Sequence, residues 1–131
     1  MINQKKTINV CTWNLCLGLQ YKLRYVEEIL IKEDIDVLCL QETELEKGLD
    51  MTVLNIKGYD LETDSAADTI RTSVYIKSTL NYERIQNQHL NQNLIILKIT
   101  EKICLIYSFL QSTDHGRTLV DCLKKVPLKI K

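Results

Sequence analysis

The sequence predicts an α/β fold of one domain, in which a β-α-β unit is followed by several further strands. Residues 7–14 (TINVCTWN) alternate and are rich in β-branched side chains, a pattern typical of a strand. Residues 36–41 (DVLCLQ) form a short apolar run, typical of a strand that is buried on both faces. The segment between them has helical periodicity, so the two strands are expected to be parallel and joined by a right-handed crossover.

The segment after Gly18 is predicted to be an amphipathic helix. Its apolar side chains recur at spacings of three and four residues, while the charged side chains lie mostly on other faces. The apolar positions are Leu19, Leu23, Val26 and Leu30. This helix is therefore expected to be the crossover between the two strands.

The rest of the chain predicts strands and loops. Residues 44–58 are acidic and mixed in character and end at Gly58, which indicates a loop with one helical turn. Strands are predicted over 59–63, 70–77, 94–100 and 103–109, the last two as a hairpin. Residues 81–93 are polar and predict a solvated connection, and 118–126 predict a closing helix that Pro127 stops.

Composition and charge exclude several classes of protein. The chain has 131 residues, 45% of them hydrophobic, which suits one domain over residues 1–131 and argues against disorder. Its 17 basic and 17 acidic residues give zero net charge, which argues against binding nucleic acid or membranes by bulk attraction. Five cysteines without a C-x-x-C pair, no signal sequence and no long apolar run lead us to expect an intracellular protein with no membrane association.

Two polar residues stand at the ends of the first two predicted strands. Asn14 ends the first strand and Glu42 ends the second, and the carboxyl ends of neighbouring parallel strands are where open α/β sheets place ligands. A carboxylate held there can take one position on Mg²⁺, and an adjacent amide can orient that carboxylate or a phosphate. The alternative is that Glu42 only begins a surface loop and Asn14 only caps a turn.

Several segments together resemble the endonuclease/exonuclease/phosphatase superfamily. The resemblance begins with W-N at 13–14, Gly18 and the L-Q-E-T of residues 40–43, and it continues with G-Y at 58–59. The endonuclease domains of non-LTR retrotransposons are most similar in sequence to two segments, R-T-S-V-Y-I-K at 71–77 and L-N-Y-E-R at 80–84. The resemblance covers about residues 7–126 and implies a DNase I-like α/β sandwich.

The resemblance also implies a metal-dependent hydrolase and a role for three residues. Glu42 would be the ligand of Mg²⁺ (or Mn²⁺), Asn14 would organise the metal and phosphate site, and Tyr107 would contact the scissile phosphate or position the nucleophile. Phosphodiester cleavage needs an activated water and a cation that stabilises charge on the phosphate oxygens. DNA is the substrate that the resemblance implies.

The sequence also departs from the family pattern. It contains neither a G-D-F-N segment nor a later strand carrying S-D-H, and S-T-D-H at 112–115 follows too soon after Tyr107. We therefore interpret Asp114 and His115 as a loop or helix-start pair. Ser108 also stands where retrotransposon relatives tend to have an arginine. The chain is thus expected to hold the first part of the sandwich, with its second half missing.

Three hypotheses for function follow from these features. The first is a Mg²⁺-dependent, DNA-nicking endonuclease domain, truncated and with weak or no activity alone. The second is a non-catalytic remnant that binds nucleic acid or another chain, and the third is a phosphodiesterase or phosphatase of phospholipids or inositol phosphates. A half sandwich would expose an apolar sheet face and favour self-association. The candidate residues of that face are Val10, Leu38, Leu40, Ile96 and Ile106.

Overall fold

The fold consists of one helix, one 3₁₀ turn and seven strands in the part of the chain that the structure describes. The structure is a computed structural model, and it describes residues 7–16, 18–46, 48–64, 69–85 and 94–99, together with the backbone of 103–108. In chain order the elements are β1 (Val10–Asn14), α1 (Leu19–Lys32), β2 (Val37–Leu45), the 3₁₀ turn (Met51–Leu54), β3 (Tyr59–Thr63), β4 (Ile70–Lys77), β5 (Tyr82–Arg84), β6 (Leu94–Ile99) and β7 (Ile103–Ser108).

The strands form two sheets. The first sheet has the order β1-β2-β4-β3, and the second has the order β5-β6-β7. β1 and β2 are parallel, with Val10 opposite Val37 and Asn14 opposite Gln41, while the other pairs are antiparallel. The predicted β-α-β start is therefore confirmed, as are the strands β3 and β4 and the β6–β7 pair.

Helix α1 covers one face of the first sheet. Leu19, Val26 and Leu30 have no exposed surface, which confirms three of the four predicted apolar positions as buried, and Leu23 is half-buried. They share a core cluster with Leu38, Leu40 and Tyr75 of the sheet. Since Leu38 and Leu40 face this helix, their assignment to an exposed inner face was wrong. The alternation of β2 placed them on one face together, but on the helix side.

The opposite face of the first sheet packs on the second sheet. The buried side chains of this interface come from β2, β4 and β6, and they are Val37, Cys39, Val74, Ile76, Ile95, Leu97 and Ile99. Ile96 alternates with Ile95 and Leu97, so it lies on the other face of β6, where it is also buried. Between β2, β4 and β6 no apolar face is left open, so the premise for self-association is not met there. Val10 at the edge of the first sheet is 47% exposed.

Polar side chains also join the two sheets. The Tyr82 hydroxyl lies 3.0 Å from Glu62 Oε2 and 3.1 Å from Asp60 Oδ2, so one phenolic proton serves two carboxylates of β3. Arg84 donates to Glu62 Oε1 at 3.1 Å and to the Thr63 carbonyl at 2.8 Å. The prediction of a solvated connection over 81–93 is therefore wrong at residues 82–84, which form β5.

Several predicted features lie outside the described residues. These are the hairpin turn at 101–102, His89, the pair Asp114 and His115, the closing helix at 118–126 and the side chain of Ile106. Within the described residues, no helix combines the length and the apolar character that crossing a membrane requires.

Candidate active site

The candidate site lies where β1 ends beside β2. The prediction that Glu42 ends the second strand is wrong, because β2 continues to Leu45. Asn14, the last residue of β1, stands opposite Gln41, and Glu42 follows Gln41 directly. The loop after β1 is bonded to the end of β2, because the Leu15 amide donates to the Gln41 carbonyl and the Gly18 amide donates to the Glu42 carbonyl, both at 3.0 Å. The structure thus brings Asn14 and Glu42 together, as the parallel pairing predicted.

Asn14 organises the loop that it begins. Its side-chain Oδ1 accepts a hydrogen bond from the Cys16 amide at 2.9 Å, which is an Asx turn. Cys16 has a φ of 52°, a left-handed conformation that this bond helps to hold. The Lys22 ammonium donates to the Leu15 carbonyl from the first turns of α1. The exposed Asn14 side chain therefore has its oxygen engaged, while its amide protons can reach a ligand.

Glu42 belongs to an irregular segment of β2. Gln41 pairs with Thr72 and Leu45 pairs with Ile70, so residues 42–44 all stand opposite the single residue Arg71. We call these three residues the 42–44 bulge. Glu42 and Glu44 have φ values of 55° and 46°, in the left-handed region that non-glycine residues rarely adopt. Such backbone strain persists only where surrounding contacts impose it, and it is concentrated at functional sites.

Thr43 supplies the contacts that hold the bulge. Its side chain is fully buried, its hydroxyl donates to the Ile70 carbonyl at 3.0 Å and it accepts from Ser73 Oγ at 3.1 Å. Ser73 is also fully buried, so this short chain of hydroxyls is shielded from water. Thr43 thereby fixes the centre of the bulge to β4, and the two glutamates on either side follow from that placement.

Arg71 closes the bulge from the opposite strand. Its Nε lies 3.7 Å from Glu44 Oε1, with both side chains about one third exposed. The backbone amides of Arg71 and Thr72 donate to Asp64 Oδ2 at 3.0 and 2.8 Å, and Asp64 is only 4% exposed. The carboxylate of Asp64 thus stabilises the start of β4, and the carboxylate of Glu44 is partly neutralised by a cation.

Glu42 differs from the other shielded carboxylates of the described chain. Five of the six that are buried or half-buried hydrogen-bond or ion-pair with a described residue: Asp36, Glu44, Asp60, Glu62 and Asp64. The sixth is Glu42, whose carboxylate receives no hydrogen bond and no cation from a described residue. A partly desolvated carboxylate without such a partner is costly unless water or a ligand satisfies it.

The donor set at Glu42 fits a cation that keeps most of its water. No group of three or more acidic, histidine or cysteine side chains in the described ranges could enclose a metal ion. Mg²⁺ is commonly held by one or two carboxylates, with the other positions filled by water and substrate phosphate. Glu42 would supply one such carboxylate, and no closed cage of ligands surrounds it among the described residues.

Tyr107 lies on the second sheet. It is part of β7 and pairs with Ile95 of β6, whereas Asn14 and Glu42 belong to the first sheet. Ile95 packs in the interface between the two sheets. The position of the Tyr107 backbone is therefore described, and its predicted role at the phosphate stays a prediction.

Sequence reasoning missed Thr43, Asp64 and the Glu44–Arg71 pair. The T of L-Q-E-T was predicted only as part of a motif, and its position between two glutamates gives no sign that its hydroxyl is buried and hydrogen-bonded. Nothing in the sequence marks residues 42–44 as a bulge, because bulges usually carry glycine at left-handed positions and these are glutamates.

The fold is that of a DNase I-like α/β domain. The family model of the endonuclease/exonuclease/phosphatase family matches residues 11–114. The chain belongs to this family. A search of curated proteins found no match.

Solved structures of the same fold are similar over nearly the whole chain. AP endonuclease LMAP from Leishmania major has 20% identity and a TM-score of 0.63, with 84% of this chain and 42% of that chain covered. TDP2 from D. rerio, complexed with single-strand DNA product, has 20% identity and a TM-score of 0.64, with 94% and 57% covered. The human nocturnin catalytic domain with bound sulfate has 16% identity and a TM-score of 0.57, with 95% and 61% covered. This chain therefore spans about half the length of the structures it resembles.

Proposed function

We propose that this chain contributes the divalent-cation site of a phosphodiester hydrolase that acts on DNA. The observation that carries the proposal is Glu42, a half-buried carboxylate in the bulge of β2 that no described residue neutralises. Membership of the endonuclease/exonuclease/phosphatase family and the DNA in the similar D. rerio structure support the choice of reaction and substrate.

Each candidate residue has a distinct task in this proposal. Glu42 holds Mg²⁺ (or Mn²⁺), and the cation supplies charge stabilisation on the phosphate oxygens when bound. Asn14 fixes the loop through its side-chain oxygen and offers its amide protons to the phosphate. Tyr107 contacts the scissile phosphate from the second sheet. Thr43 keeps Glu42 at the edge through the bulge.

The finer part of the proposal concerns origin and activity. The similarity of residues 71–84 to the endonuclease domains of non-LTR retrotransposons supports a retroelement endonuclease as the source, and it would act inside the cell. The 131 residues contain no G-D-F-N segment of the kind that the resemblance implies for orienting the nucleophile. Loss of such groups typically lowers rates by several powers of ten, so these residues alone are expected to cut DNA weakly or not at all.

Metal binding is the test that does not depend on turnover. We expect Mn²⁺, titrated by electron paramagnetic resonance, to bind the 131-residue chain and to bind Glu42→Gln about tenfold more weakly, because a carboxylate ligand becomes neutral. Glu44→Gln is the matched control. It removes one negative charge two residues from Glu42, and the carboxylate of Glu44 already pairs with Arg71. Equal losses in both variants would contradict the assignment of the metal to Glu42.

Nicking of supercoiled plasmid tests the activity itself. We expect slow or absent nicking by the wild type in Mg²⁺, and any nicking should vanish in Glu42→Gln and in EDTA. Rapid nicking by the wild type would refute the expectation of weak activity. Nicking that survives in Glu42→Gln would refute the proposed site.

Two other functions make different predictions for the same assays. A non-catalytic remnant that pairs with nucleic acid or another chain should bind Mn²⁺ no more tightly than a surface carboxylate does. A phosphodiesterase or phosphatase of phospholipids or inositol phosphates should bind the metal at Glu42 but hydrolyse the phosphate ester bonds of those substrates rather than nick DNA. The retroelement-like residues 71–84 favour DNA over the latter.

A further inference from the structure

The exposed aromatic ring of Tyr21 lies beside the candidate site and contributes little to the core. Tyr21 is 87% exposed, more than any other large apolar or aromatic side chain among the described residues. It lies in the first turn of α1, and no described residue hydrogen-bonds its hydroxyl. A tyrosine this exposed contributes little to the core, because most of its surface stays in water.

The ring is held next to Glu42 through Gly18. A Cβ placed on Gly18 would come within 2.8 Å of Tyr21 Cδ2 and 3.4 Å of Cε2, so one edge of the ring rests against this glycine. The Gly18 amide donates to the Glu42 carbonyl at 3.0 Å. Only one residue thus separates the aromatic ring from the backbone of the proposed metal ligand, while the ring itself stays open to solvent.

The surroundings of the ring suit a nucleotide. Lys22, the next residue along the helix, places its ammonium on the Leu15 carbonyl of the same loop. The first turn of the helix thus carries a cation as well as an open aromatic ring, and these suit the two parts of a nucleotide, since a phosphate is attracted by the charge and a base stacks on the ring. Tyrosine also loses little conformational entropy on binding, because it has two side-chain torsions.

We propose that Tyr21 is a stacking platform for an unpaired base of single-stranded DNA next to the phosphate at Glu42. This inference rests on the proposed function and adds a substrate class to it. In double-stranded DNA each base is stacked between its neighbours, so no base face is available to an aromatic ring that lies outside the double helix. Single-stranded DNA offers a free face at every base, and aromatic stacking accepts any of the four.

The test is DNA binding in EDTA, which separates it from catalysis and from the metal. A fluorescein-labelled 12-mer of thymidine is titrated with the 131-residue chain, and anisotropy reports the dissociation constant. We expect Tyr21→Leu to weaken binding about tenfold, within the range measured for loss of one base–aromatic stack, and Tyr21→Phe to stay near the wild type. Tyr25→Leu is the matched control, since Tyr25 is 62% exposed on the same helix, one turn further from Gly18.

Four results would overturn the inference: no binding by the wild type, binding by Tyr21→Leu within twofold of the wild type, an equal loss in Tyr25→Leu, or tighter binding of a duplex of the same length. Failure of the proposed function looks different. If Tyr21-dependent binding is observed but neither Mn²⁺ binding nor nicking depends on Glu42, then the stacking site stands and the hydrolase proposal falls.

Discussion

The hydroxyl of Thr43 is the contact on which the geometry of the 42–44 bulge depends, and its removal is the most informative perturbation of this fold. Thr43→Val keeps the shape of the side chain and deletes only the hydroxyl. Ser73 Oγ then loses its acceptor and the Ile70 carbonyl loses a donor, both in a site where Thr43 and Ser73 have no exposed surface.

The expected cost follows from these two bonds. A buried polar group left without its partner costs about 1–3 kcal/mol, so the two unpartnered groups predict a loss of about 2–6 kcal/mol in the free energy of unfolding. At an m value of about 2 kcal/mol/M the urea midpoint falls by about 1–3 M. Thr43→Ser retains the hydroxyl and is expected to lose only about 1 kcal/mol from the missing methyl group.

A double-mutant cycle isolates the hydroxyl chain. Ser73→Ala alone should cost about 1 kcal/mol, because Thr43 keeps its bond to the Ile70 carbonyl, and it should cost almost nothing when Thr43→Val is already present. Mn²⁺ affinity should fall with Thr43→Val and not with Thr43→Ser, since the bulge carries Glu42. The reasoning is refuted if Thr43→Val unfolds within about 0.5 kcal/mol of the wild type, which is the range of ordinary surface changes.

Two further predictions concern the loop and the core. Gly18→Ala should lower the free energy of unfolding by about 1–2 kcal/mol because the φ of Gly18 is +84°, and the control Gly48→Ala, at φ +96°, should do the same. Only Gly18→Ala displaces the Tyr21 ring, so only this variant should bind the thymidine 12-mer more weakly. Equal binding by both variants would contradict the contact between Gly18 and Tyr21. Burial, followed by the charge of Cys11, raises the pKa of Cys39 from 9.0 to about 12. The unfolded thiol therefore loses its proton first, and the free energy of unfolding should fall by about 1.4 kcal/mol per pH unit above pH 9 on this account. Urea unfolding between pH 9 and 11 should show a smaller slope for Cys39→Val than for Cys11→Val, and identical slopes would contradict the assignment.

The pairing of Asn14 with Glu42 was predictable because it depends on elements and not on side-chain detail. An alternating strand, an amphipathic helix and an apolar strand leave one economical arrangement, a right-handed β-α-β unit. In that unit the carboxyl ends of the two strands lie side by side whatever the side chains are. The structure accordingly places Asn14 opposite the residue that precedes Glu42.

The faces of β2 could not be read from the sequence for a physical reason. Val37, Leu38, Cys39 and Leu40 are all apolar, so alternation shows that Leu38 and Leu40 share a face without showing which one. The choice depends on the helix and on the second sheet, which bury opposite faces of the same strand.

The bulge and β5 escaped prediction because tertiary contacts create them. Left-handed backbone at Glu42 and Glu44 contradicts their intrinsic preference, and the buried hydroxyl of Thr43 overrides it. β5 has only three residues, too few for a period to be visible, and Tyr82 and Arg84 hold it to the carboxylates of β3.

The carboxylate at the beginning of β2 is paired with a cation, whereas the carboxylate of Glu42 further along the strand is not. This contrast gives the reason why a cation and a phosphate should bind together. At the beginning of the strand, Asp36 is fully buried, accepts from the Asn9 amide at 2.7 Å and lies 3.3 Å from the Lys77 ammonium. Further along the strand, no described residue supplies a cation to the carboxylate of Glu42. A phosphate brought about 5 Å from that carboxylate would be repelled by about 3 kcal/mol at an effective dielectric constant of 20. A divalent cation between them reverses the sign of that interaction, so under the proposed function each of the two ligands raises the affinity for the other.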